Sequence, residues 1–159
     1  MKQRELSRWL RGIVVFGWFC CVLLSAVIVP MLAREAAEDA PEFSYLMWPC
    51  LGLFWLGMIL VICALWHAWK IFVQIGRDNS FCEENARRLR VISLLALADT
   101  ILCAVAAVLL LLCGALHPGI LVLLILAAVI GLGFFVASAA LSYLTWKAAA
   151  LKEENDLTV

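Results

Sequence analysis

The chain has 159 residues, of which 66% are hydrophobic and 15% charged, with 12 Lys and Arg balanced by 12 Asp and Glu. Its mean hydropathy is +1.04. Soluble domains are nearer half apolar and a quarter charged, so an ordinary soluble globule is excluded, and no basic surface is large enough to bind nucleic acid.

The apolar residues gather into four runs, at about 12–32, 45–72, 91–116 and 119–146, followed by a short polar tail at 147–159. Each is long enough to cross a bilayer core, which takes about 20 helical residues. The expected fold is an all-α membrane protein, a four-transmembrane-helix bundle, with residues 1–159 forming one transmembrane domain.

The first run follows Lys2, Arg4, Arg8 and Arg11. It is longer than the apolar stretch of a cleavable signal peptide, about 7–15 residues, and so reads as a retained span. Pro30 is expected to end it, and "REAAEDAPEF" to form an acidic loop. Pro41 and Pro49 bracket the entry to the second run, where Pro49 suits a first helical turn. That run closes on "LWHAWK". Its Trp66 and Trp69 read as an aromatic belt at the membrane surface, and His67 as an amphipathic residue among them rather than a metal ligand.

Between the second and third runs lies the most charged window, "FVQIGRDNSFCEENARRLRVIS". Gly76 is expected to break the helix, "RDNS" to turn the chain, and Ser80 with Glu83 to form a capping box that starts a new helix near Phe81. Glu83 and Glu84 then sit in the first turn, where the helix dipole favours negative charge. Arg87, Arg88 and Arg90 follow at headgroup level. One reading is a capped hinge whose arginines snorkel and hold topology. The other is a docking surface made of Arg77, Phe81, Glu84, Asn85, Arg87, Arg88 and Arg90 with the acidic tail residues Glu153, Glu154 and Asp156. Basic hinge and acidic tail would pair with each other or share one partner.

Asp99 is the one acidic residue deep inside a run. A charge there costs about 2.5–3.5 kcal/mol on insertion scales, so Asp99 is expected to face the protein interior and to accept a hydrogen bond from Ser138 or Ser142. It reads either as a packing aspartate or as a proton relay or ligand group. The fourth run carries Gly131, Gly133, Ala137, Ser138, Ala140 and Ser142. Small residues let lipid-embedded helices approach closely, so this helix is expected to be the packing centre of the bundle or a homodimer face. The turn before it, "LHPGI", is short enough to make runs three and four antiparallel neighbours.

The seven cysteines form no CxxC, and most lie within the runs as small hydrophobes. Cys50 and Cys113 both approach the acidic side, which leaves a disulfide between them as an open alternative. No Cys/His cluster has metal-ligand spacing, and no phosphate loop, nucleophile elbow or carboxylate pair is present. No metal site, cofactor or enzymatic activity is expected.

Eleven of the twelve basic residues fall before the first run, from the end of the second run to the start of the third, or after the fourth, and only Arg34 falls on the other side. Short basic loops stay inside, which places both termini and the hinge in the cytoplasm. The expected location is a bacterial cytoplasmic (inner) membrane, with the lipid bilayer as surroundings.

The hinge "IGRDNSFCEENARRLRVIS" resembles the central signature of the bacterial membrane family called domain of unknown function 2975. That signature runs Gly, a short gap, Pro-Phe, Asn, then Leu-Arg-x-Ile. Gly76, Phe81, Asn85, Leu89, Arg90 and Ile92 fit it, with Ser80 in place of Pro. The tail "ALKEENDLTV" resembles the family's C-terminal signature. The resemblance implies a four-span inner-membrane protein without established enzymatic activity, often encoded beside a small helix-turn-helix regulator of the Cro/repressor class. The function expected is therefore a non-enzymatic regulatory membrane protein that binds such a regulator through hinge and tail. The alternatives are a small transporter or ligand-binding protein with a cavity around Asp99, and an immunity-type protein against a membrane-active peptide.

Overall fold

The structure, a computed structural model, describes residues 3–77 and 80–157, with side chains from 5 to 77 and from 80 to 154. Helices dominate, and the described residues form no strand: α1 (Gln3–Leu23), a π-helical turn (Leu24–Ile28), α2 (Val29–Asp39), a 3-10 segment (Pro41–Leu46), α3 (Met47–Gly76), α4 (Glu83–Leu112) and α5 (Pro118–Leu157). Four stretches are long and apolar enough to span a membrane: Glu5–Asp39, Pro41–Gly76, Glu83–Leu112 and Pro118–Glu154.

The helix does not stop at Pro30, and the expected acidic loop is largely helix. Proline lacks an N–H, and its ring clashes with the carbonyl four residues back. The π turn just before it widens the helix and bonds Val29 N–H to the Leu24 carbonyl, five residues back. The next donor in that register would be residue 30, so the Ser25 carbonyl loses its partner inside the helix. Trp55 of α3 supplies one, its indole Nε1–H donating to the Ser25 carbonyl at 3.1 Å. Beyond the proline, "REAAED" continues as helix because Ala, Glu and Arg are strong helix formers.

α4 ends in a Schellman turn. Gly114, at φ 68°, supplies the left-handed residue. Its N–H bonds to Leu111 and that of Ala115 to Leu110. His117 then caps α5, Nδ1 accepting the Gly119 N–H at 3.1 Å.

Packing is sequential and antiparallel: the first helix lies on α3, α3 on α4, and α4 on α5. Each seam carries one glycine that admits a polar side chain from its neighbour. A Cβ at Gly76 would lie 2.7 Å from Ser7 Oγ, and one at Gly57 would lie 2.9 Å from Asp99 Oδ1. One at Gly131 would overlap Thr100 Oγ1. α1 turns Ser7, Val14 and Cys21 inward at seven-residue spacing, all buried. Such spacing keeps one face of a helix against its partner.

The fourth span is not the packing centre, because among the described residues α5 meets only α4. Its small residues divide: Gly131, Ser138, Ser142 and Thr145 form the inward stripe, while Gly133, Ala137 and Ala140 face outward.

Candidate functional site

The basic end is where the polar side chains concentrate. α4 begins at Glu83, two residues later than expected, and Ser80 is not its cap. Cys82 takes the cap position in extended conformation, and its carbonyl accepts the Asn85 and Ala86 N–H groups. Asn85 reaches backward instead, its Nδ2 donating to the Ser80 carbonyl at 3.0 Å. Asn85 is 1% exposed, so it holds the connection between α3 and α4 in place and offers no docking surface.

Arg87 and Arg88 pair within their own helix. Arg87 Nη2 lies 2.8 Å from Glu83 Oε1, with both side chains exposed, and Arg88 pairs with Glu84. Gln74 of α3 adds a 3.2 Å bond to the other Glu84 oxygen. Both arginines thus pair with a carboxylate one turn away on their own helix. Arg77 follows the last turn of α3. Arg77, Phe81 and Arg90 are exposed, as are Glu153 and Glu154 on the last turns of α5. The side chain of Asp156 lies outside the described residues.

The intramembrane polar residues are not brought together as expected. Ser142 Oγ donates to the Ala86 carbonyl at 2.7 Å instead of to Asp99, tying α5 to the start of α4. Ser138 is buried on the same stripe. Asp99 faces the other way, onto Gly57 of α3, with no hydrogen-bond partner among the described residues. His67 lies within electrostatic reach of Arg88, and its Nδ1 is buried without a hydrogen-bond partner. All seven cysteines are free thiols, Cys50 and Cys113 lying within electrostatic reach of each other. Among the described residues, no three His, Cys, Asp or Glu side chains gather as metal ligands.

Several polar contacts were not foreseen. Ser7 is fully buried, its Oγ donating to the Phe72 carbonyl at 2.6 Å. Trp18 stacks on both Trp66 and Trp69, with ring centroids 6.1 and 5.8 Å apart. Arg11 lies over Trp69 at 5.9 Å and Lys70 over Trp66 at 5.0 Å. The available signals were the seven-residue spacing from Ser7 and the three-residue spacing of Trp66 and Trp69, which puts both rings on one face.

The hinge that fits the resemblance thus lies between α3 and α4, and the matched tail ends α5. A family model described as a protein of unknown function, DUF2975, matches residues 31–159. The chain belongs to the DUF2975 family. It is similar to the uncharacterized membrane protein YoaS of Bacillus subtilis (strain 168), with 28% identity over 138 residues, 86% of each chain. No solved structure matches. With four helices able to span a membrane, this DUF2975 protein is a multi-pass protein of the bacterial cytoplasmic membrane, in a family of unknown function with no enzymatic class indicated.

Proposed function

We propose that this DUF2975 protein is a non-enzymatic interaction protein whose basic end faces the cytoplasm and binds a soluble regulator, the helix-turn-helix class that the family resemblance implies. The observation that carries the reading is the reach of α5. It continues as one helix through Leu157, eleven residues beyond Trp146, or about 16 Å at 1.5 Å per residue. Lys152, Glu153 and Glu154 ride on that extension, and Ser142 anchors the same helix beside the first turn of α4. Exposed Phe81, Arg77 and Arg90 supply the apolar and basic parts of the surface.

The test is co-purification of the candidate regulator with the full chain, with a deletion of residues 153–159, and with Arg87→Glu/Arg88→Glu. Loss of recovery with either variant, in protein that remains folded, supports docking. Undiminished recovery with both rejects it. Orientation is tested by Phe81→Cys in a cysteine-free background. An impermeant maleimide should label it in inverted vesicles and not in intact cells, and the opposite pattern overturns the topology.

A transporter reading has one observation in its favour, the half-buried Asp99 carboxylate against Gly57. Loss of a proton-coupled flux in stable Asp99→Asn protein would move the function there.

A further inference from the structure

At the basic end of the seam between α1 and α3, five side chains form a ladder. Trp18 stacks against Trp66 and Trp69 at interplanar angles of 23° and 26°. Arg11 covers the Trp69 ring and Lys70 the Trp66 ring. Both distances fall within the roughly 6 Å over which a ring face attracts a cation. The rings therefore position two positive charges.

Neither cation is neutralised. Among the described residues, no carboxylate lies within 4.0 Å of Arg11 or Lys70, the ion pairs being Arg87–Glu83 and Arg88–Glu84. Lys70 acts on Glu84 at a distance, but that carboxylate already binds Arg88 and Gln74. Arg11 is held by Nε, which donates to the Ser7 carbonyl at 3.2 Å. Its two Nη groups have no hydrogen-bond partner among the described residues, and neither does Lys70 Nζ.

Depth supplies the chemistry of the ligand. Arg11 immediately precedes the first apolar run, and Lys70 lies in the last turns of the second. Both stand where hydrocarbon gives way to headgroups, and basic pockets between spans at that level suit lipid phosphates. Trp66 is half exposed beside Lys70. We infer that Arg11 and Lys70, each set by a ring of the Trp18–Trp66–Trp69 stack, bind anionic phospholipid headgroups at the α1–α3 seam. The site uses none of the residues proposed for docking, so either can fail without the other.

The experiment is native mass spectrometry of the full-length protein in detergent, titrated with phosphatidylglycerol or phosphatidylcholine. Wild-type protein should retain phosphatidylglycerol at least about tenfold better than phosphatidylcholine. Arg11→Gln/Lys70→Gln should abolish the preference, Arg11→Lys should keep most of it, and Arg8→Gln, an exposed charge without a ring contact, should leave it intact. Equal retention of the two lipids by wild type overturns the inference, whether or not any variant folds. So does an Arg8→Gln loss equal to that of the double variant, which would mean diffuse surface charge. Displacement of the bound phosphatidylglycerol by millimolar inorganic phosphate would mark a free-anion site and overturn the lipid assignment.

Discussion

Trp55→Phe isolates one hydrogen bond at mid-span. The indole N–H of Trp55 is what the Ser25 carbonyl has in place of the donor that Pro30 lacks. Hydrocarbon offers no water to replace it, and an unsatisfied backbone group there costs several kcal/mol in gross terms. The net figure is smaller because the separated helices also find partners: interhelical bonds in membranes average about 0.6 kcal/mol and reach about 1–2. The ring also lines a groove of about 260 Å³ with Ser25, Ala26, Met58, Ile59 and Ile62, so trimming indole to phenyl removes some packing. Trp55→Phe should therefore cost about 1–2 kcal/mol. Reversible unfolding in mixed micelles with increasing dodecyl sulfate, followed by circular dichroism, measures it. Pro30→Ala separates the two contributions, since it restores a backbone donor to the first span. In that background Trp55→Phe should cost about 0.6 kcal/mol less, leaving the packing loss alone. An equal cost in both backgrounds would refute the assignment of Trp55 as the cap of a proline-orphaned carbonyl.

Asn85→Ala should cost about 1–3 kcal/mol, because it removes a buried amide that holds the Ser80 carbonyl; a loss under about 0.5 kcal/mol in the same unfolding assay would mean that Asn85 does not fix the hinge. Two glycines two residues apart, on different faces of α5, should respond with opposite signs. Gly131→Ala should lose about 1–3 kcal/mol by forcing Thr100 away, whereas Gly133→Ala, with open space around its Cβ, should gain about 0.5–1 kcal/mol of helix propensity. Equal responses would dissolve the assignment of Gly131 to the α4–α5 seam.

The spans were legible because bilayer thickness sets their length, and the apolar run ending near residue 32 is unmistakable. Where the helices end was less so. Pro30 is a stop signal in a helix that must keep its own ladder, and only the partner residue Trp55, far away in sequence, shows how the ladder survives. Ser80 and Glu83 carry capping-box spacing, but the helix starts at Glu83 with Cys82 at the cap, and the buried Asn85 amide binds the Ser80 carbonyl. Asp99 was legible as an inward-facing residue, whereas which helix it faces depends on the angular phase of α4. Asp99 and Thr100 are adjacent and point to different neighbours, at Gly57 and Gly131. Nor did local sequence join Trp18 to Trp66 and Trp69, since that contact depends on the register between two helices.

The order in which the helices touch has a consequence for how the protein is made. Each seam joins helices consecutive in the chain, so the contacts close like a zipper from the N-terminus. α3 can dock on the first helix as it leaves the translocon, with Ser7 meeting Phe72 and Trp55 meeting Ser25 before α4 is synthesised. α4 then offers Asp99 to Gly57 while Thr100 waits for Gly131. No helix needs a distant partner to arrive before it can bury its polar groups, and the Ser25 carbonyl stays open only until Trp55 follows it into the membrane.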